Sequence, residues 1–299
     1  MQGVWTALVT PFNPKNELDL PAYKRILQDQ KKAGVSGVIP CGTTGESPTL
    51  SLIEKKKLIQ IALEELEGSN VKVVAGTGTN DTETTKEFSK WASDQGVAGV
   101  LLVTPYYNKP SQAGLIQHYR SVADQIDCEI ILYNVPGRTG VSLTAETVST
   151  LAAHPKIRTL KEATGNIPFA SEILDQLAAD HRELDLLSGD DATYLALLCI
   201  GARGVISVAS NLFPRVMVAI FDAVNRNSLE EARLIHRKYS PLFRDLFIES
   251  NPVPLKAAMS YAGWCSADVR SPLSALSKGN AEKLRQSLEQ CGVSHGALL

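Results

Sequence analysis

The sequence predicts an α/β chain: a closed (β/α)8 TIM barrel followed by a C-terminal helical extension. Three observations carry this. Short apolar runs rich in Val, Ile and Leu alternate with amphipathic stretches of helical period. The runs are apolar on both faces, as parallel strands are when helices cover them outside and packed side chains fill them inside. Beyond Phe213 the chain reads as helix only. Eight strand–helix units close a barrel through right-handed crossovers. An open doubly wound sheet is the main competitor. The barrel is expected over residues 1–225 and the helical extension over 226–299.

The expected strands are Thr6–Thr10, Gly37–Cys41, Val71–Ala75, Gly99–Val103, Ile130–Tyr133, Ile157–Lys161, Leu184–Leu187 and Gly204–Val208. Between them lie helix-period segments such as Pro21–Lys32, Ile53–Glu67, Glu83–Gln95, Ser111–Gln125 and Ala145–Ala153. Thr144 and Asp81-Thr82 stand where a side-chain oxygen can cap a first helical turn. Gly34, Gly96 and Gly201 follow helical patterns closely, as left-handed terminators do. After the barrel, helices are expected over 214–225, 229–247, 253–262 and 278–290. The prolines of Asn251-Pro252-Val253-Pro254 separate two of them.

Composition narrows the function classes. Of 299 residues, 44% are hydrophobic and 21% charged, which suits a globular chain with a large core. The formal net charge of −2 comes without a basic stripe, so no nucleic-acid partner is expected. The five cysteines are dispersed, with no C-x-x-C pair, which fits reduced thiols in a cytoplasmic protein rather than disulfides or zinc. No run reaches membrane-span length, and the amino-terminal stretch lacks a leader pattern.

Active sites of such barrels form at the C-terminal ends of the strands. Strand two ends in Cys41-Gly42-Thr43-Thr44-Gly45-Glu46-Ser47, whose amides and hydroxyls suit a carboxylate, or simply a β–α turn. Strand four ends in Thr104-Pro105-Tyr106-Tyr107-Asn108, tyrosines that can relay protons or merely pack. Strand five ends in Tyr133-Asn134-Val135-Pro136-Gly137-Arg138-Thr139-Gly140 and offers a phenol and a guanidinium fork. Strand six ends in Lys161-Glu162-Ala163, where Lys161 closes an otherwise apolar strand. Desolvation favours the neutral amine, which can attack a ketone and form an imine. A lysine at a strand end more often snorkels to solvent. Asp190 and Asp191 after strand seven suit helix capping better than metal binding, and no metal ligand set or cofactor fingerprint is expected anywhere.

Taken together, Gly42-Thr43-Thr44-Gly45-Glu46, Thr104-Pro105-Tyr106-Tyr107-Asn108, Tyr133 to Gly140 and Lys161-Glu162-Ala163 resemble the dihydrodipicolinate synthases, within the pyruvate-dependent class I aldolases. The likeness runs from Thr10-Pro11 to Asn251-Pro252-Val253-Pro254-Leu255-Lys256. It implies a lyase of lysine and diaminopimelate biosynthesis that condenses pyruvate with aspartate 4-semialdehyde. Lys161 would form the Schiff base; Tyr133, Thr43 and Tyr107 would relay protons. Thr44 would hold the pyruvate carboxylate, Gly189 and Ile206 would line the pocket, and Arg138 would receive the aldehyde's carboxylate. The resemblance also implies a dimer or dimer of dimers, with Tyr107 serving the partner's site. At the inter-subunit cleft where some relatives bind lysine, Leu52, Lys55 and Thr84 replace the expected polar and acidic groups, although Ser47, Asn80 and Tyr106 remain. Weak or absent lysine feedback is therefore expected. Two alternatives stay open: another pyruvate lyase, cleaving N-acetylneuraminate or a keto-deoxy-sugar acid, and a non-catalytic keto-acid sensor.

Overall fold

A computed structural model describes residues 1–296. Its eight strands are β1 (Gly3–Ala7), β2 (Gly37–Ile39), β3 (Lys72–Gly76), β4 (Gly99–Val103), β5 (Glu129–Asn134), β6 (Ile157–Glu162), β7 (Asp185–Ser188) and β8 (Gly204–Ser207). They form a closed barrel in sequence order, with parallel neighbours. The barrel expectation holds. Val100, Leu102, Ile130, Ile131 and Leu132 are all fully buried, as strands covered on both faces must be.

The chain forms two compact units, one of Met1–Gly3 with Lys72–Ile206, the other of Val4–Val71 with the chain from Ser207 onward. In the first lie α3 (Thr82–Asp94), α4 (Gln112–Ala123), the one-turn α5 (Pro136–Thr139), α6 (Ala145–Ala152), α7 (Ile167–Ala179) and α8 (Tyr194–Cys199). Asp81, Ser111, Thr144 and Asn166 cap α3, α4, α6 and α7 through their side chains. A free amide of the first turn is satisfied each time. The α5 turn falls in what reads as a plain Pro/Gly loop. Pro136 starts it, and the Val135 carbonyl accepts from the Arg138 and Thr139 amides. Gly204 is required by close approach: a Cβ there would lie 2.0 Å from the Gly3 carbonyl oxygen.

In the second unit lie α1 (Leu20–Ala33), α2 (Leu52–Leu66), α9 (Pro214–Asn225), α10 (Leu229–Asp245), α11 (Val253–Tyr261) and α12 (Lys278–Gln290). Ser51 and Glu54 form a reciprocal capping box on α2. Among the described residues, everything after β8 is helix, turn or coil. The first strand ends earlier than expected. Leu8 still bonds to the Ile39 carbonyl, but the Val9 amide turns to the side-chain oxygen of Asn211. A side chain thus replaces the ladder at Val9, one residue before the expected strand end at Thr10.

Candidate active site

In the first unit, candidate residues gather at the ends of β5 and β6. Tyr133 pairs in register with Lys161, and Asn134 with Glu162. Strand alternation sends the two pairs to opposite faces. Lys161 and Tyr133 are each 5% exposed, and the Lys161 Nζ lies 4.2 Å from the centre of the Tyr133 ring. An amine held on a phenol in this way is shielded from bulk water and confined to one direction. The snorkelling alternative does not describe Lys161.

The second pair anchors the strand ends. Glu162 accepts from the Asn134 Nδ2 at 2.8 Å and from the Thr164 amide at 2.6 Å. Burial raises its carboxyl above the ordinary range, against the opposing pull of those hydrogen bonds. Asn134 uses its Oδ1 to accept from the Leu143 amide and the Ser142 hydroxyl. The turn that carries Arg138 is therefore tied to Glu162 through one amide side chain. Thr139 ties it from the β4 side, accepting from the Thr104 hydroxyl and donating to the Val141 carbonyl. Arg138 itself is exposed.

Gly189 follows β7 and donates its amide to the Glu162 carbonyl at 2.7 Å. A Cβ there would stand 2.5 Å from the Ala163 Cβ, so no larger residue fits without displacing the end of β6. Ile206 is buried on β8. Asp190 accepts from the Thr193 amide in the turn ahead of α8, while α8 itself has no side-chain cap. Tyr107 is not brought to the buried pair. It has a left-handed backbone (φ 73°) and is 89% exposed.

In the second unit, the segment after β2 carries Thr43 and Thr44. Its inner amides face inward: Gly45 and Ser47 donate to the Gly42 carbonyl, and Glu46 to that of Thr43. An anion there would meet the threonines rather than the whole run of amides. Thr44 is buried, and its hydroxyl oxygen accepts from the Asn251 Nδ2 at 2.9 Å. Thr43 is half-buried. The Cys41 thiol points away into packing, its Sγ on the Lys55 carbonyl. Burial pushes that thiol up to about 12, so it stays protonated.

Three features escape a reading of the sequence alone. Glu46 is buried and paired with the wholly buried Lys256 at 2.5 Å. Asn251 reaches Thr44 across 207 positions of chain. Glu162 stands in the lysine motif, but its partner is visible only once the register is known. The one available signal was Lys256, a lone charge in the apolar run of Val253–Met259. Among the described residues, no group of three His, Cys, Asp or Glu side chains could hold a metal ion.

The family model of the dihydrodipicolinate synthetase family matches residues 1–291. The 4-hydroxy-tetrahydrodipicolinate synthase of Leptospira biflexa is 48% identical over 282 residues, 94% of each chain. The crystal structure of dihydrodipicolinate synthase from Thermotoga maritima superposes with a TM-score of 0.95 at 42% identity, over 98% of this chain and 99% of that one. The structure of the Cyanidioschyzon merolae enzyme with lysine bound gives 0.93 at 38% identity, over 98% of each. With family-wide coverage, a closed barrel and a buried lysine–tyrosine pair at its strand ends, this chain belongs to the dihydrodipicolinate synthetase family.

Proposed function

We propose that this protein condenses pyruvate with L-aspartate 4-semialdehyde to 4-hydroxy-tetrahydrodipicolinate through a Schiff base on Lys161. The observation that carries the reading is the buried Lys161 amine held over the Tyr133 ring. The amine attacks the pyruvate ketone, and loss of water gives the imine. Once protonated, the imine withdraws electrons, so the methyl group releases a proton and an enamine forms. The enamine carbon then attacks the aldehyde, whose oxygen takes up a proton. The aldehyde substrate's own amino group can finally add to the imine carbon and release Lys161.

Each step moves a proton, and the reading assigns those transfers to Tyr133, Thr43 and Tyr107. Thr44 holds the pyruvate carboxylate, Gly189 and Ile206 line the pocket, and Arg138 receives the carboxylate of the aldehyde. Two anionic substrates need two separate carboxylate sites, which Thr44 and Arg138 supply. Support for combining these groups is topological: they follow strands of one closed parallel barrel, and such barrels work at their C-terminal face.

The exposure of Tyr107 supports a homodimer or dimer of dimers in which that phenol enters a partner's site. No helix among the described residues is long and apolar enough to cross a membrane. The five cysteines are free thiols, which supports a cytoplasmic enzyme. The division into a barrel (1–225) and an extension (226–299) is likewise our reading, supported by the absence of described strands after β8.

The test is a coupled assay with pyruvate and aspartate 4-semialdehyde, run beside Lys161→Ala and Arg138→Ala. Turnover by the wild type that both variants lose is expected. A wild type inert toward this pair yet able to cleave N-acetylneuraminate would overturn the reading.

A further inference from the structure

The segment bearing Thr43 and Thr44 is held from the far end of the chain. Glu46 adopts a left-handed backbone (φ 54°, ψ 38°), a conformation that non-glycine residues adopt only when their surroundings impose it. In this conformation its side chain is held at both oxygens. One carboxylate oxygen accepts from the Lys256 ammonium at 2.5 Å and the other from the Arg270 amide at 2.9 Å. Lys256 has no exposed surface. Its ammonium also donates to the Asp268 carbonyl at 2.7 Å and lies 4.0 Å from the centre of the Phe12 ring. The Arg270 guanidinium stands on that same ring at 4.3 Å and bonds to the Thr49 carbonyl and to Glu54.

The same extension reaches Thr44. Asn251, just ahead of α11, donates to the Thr44 hydroxyl oxygen. A hydroxyl that accepts there keeps its own hydrogen for another acceptor, such as a carboxylate. Thr10 closes the segment from below with a bond to the Gly45 carbonyl.

A buried ion pair is a weak source of stability compared with apolar residues of similar volume, but removing one partner leaves an uncompensated buried charge. We propose that Lys256, acting through Glu46, is a positioning residue for the Thr43–Thr44 segment, which makes the C-terminal extension a working part of pyruvate binding. The proposal rests on the roles assigned above to Thr43 and Thr44.

Two variants test it. Glu46→Asp keeps the charge and tolerates the left-handed backbone, but is one methylene too short to reach both Lys256 and the Arg270 amide. It should fold, while kcat/KM for pyruvate falls about tenfold or more, mainly through KM, and KM for the aldehyde barely moves. The double variant Glu46→Gln with Lys256→Met leaves no buried charge unpaired. It should regain much of the thermal midpoint that Lys256→Met loses, without regaining kcat/KM. A merely structural pair makes activity follow the midpoint instead. Either folded variant within about threefold of wild type in pyruvate kcat/KM overturns the proposal. Failure of both to fold overturns it too, because the pair would then serve stability. If the wild-type protein gave no borohydride-trapped pyruvate adduct on Lys161, the reading of the site would fall instead.

Discussion

Tyr133 and Lys161 are register partners across β5 and β6, and the Lys161 amine lies 4.2 Å from the centre of the Tyr133 ring. One residue further along, Asn134 and Glu162 pair on the opposite face. The same ladder thus sends the amine–phenol pair to one face and the Asn134–Glu162 pair to the other. Moving either strand by one residue would exchange the two faces.

Removing only the phenol oxygen isolates its part in proton transfer. Tyr133→Phe keeps the ring beneath the amine, so the thermal midpoint should change little. Its kcat should fall about a hundred- to ten-thousandfold. Steady-state kinetics beside circular dichroism checks this, and a variant turning over at the wild-type rate would remove Tyr133 from the relay.

Arg138 stands on a single helical turn, and its planar fork is the feature a carboxylate reads. Arg138→Lys keeps the charge and loses the fork. KM for the aldehyde substrate should rise about tenfold or more while KM for pyruvate stays near its wild-type value. Equal rises in both would mean that Arg138 does not discriminate between the two anions.

Glu162 is the hub between the lysine strand and the Arg138 turn. In Glu162→Gln, an amide group must face one of two donors, the Asn134 Nδ2 or the Thr164 amide. The loss of one buried bond should lower stability by about 1–3 kcal/mol. Loosening of the turn should raise KM for the aldehyde more than that for pyruvate. Chemical denaturation and kinetics on the same sample measure both effects.

His118 gives the fold a dependence on pH. Burial lowers its imidazole to about 4, outweighing the upward pull of Asp81. The folded value lies below that of the unfolded chain, about 6.5, so the unfolded state takes the proton first. Stability is intact above about pH 6.5 and declines as the pH falls toward about 4, by about 3 kcal/mol at most for this group. His118→Gln should flatten that part of the thermal-midpoint curve relative to wild type. Parallel curves would show that His118 does not titrate this way.

Lysine should inhibit weakly or not at all. The resemblance implies a polar neutral group in the region of Lys55 and a carboxylate at Thr84 in relatives that bind lysine, and this sequence has neither. Titration of lysine into the coupled assay tests this, and clear inhibition at modest concentration would contradict it.

Much of the fold was legible because its signals are local. The β4 boundaries were as expected, and Asp81 and Thr144 cap the helices they precede. The end of β1 was not legible, because Asn211, some two hundred residues away, takes over its ladder. The lysine, tyrosine and arginine motifs could be read at strand ends, since the barrel dictates where chemistry gathers. The Glu46–Lys256 pair could not, because it joins positions 210 residues apart and neither residue alone reveals its partner. The tie from Glu162 to the Arg138 turn likewise needs the β5–β6 register, which no single strand encodes.

The central claim is that Lys161 forms an imine with pyruvate, and borohydride reduction followed by peptide mass analysis tests it most directly. A reduced pyruvate adduct confined to the peptide containing Lys161, and absent from Lys161→Ala, is the predicted result. An unmodified Lys161 in an otherwise active enzyme, or an adduct on a different lysine, would contradict it.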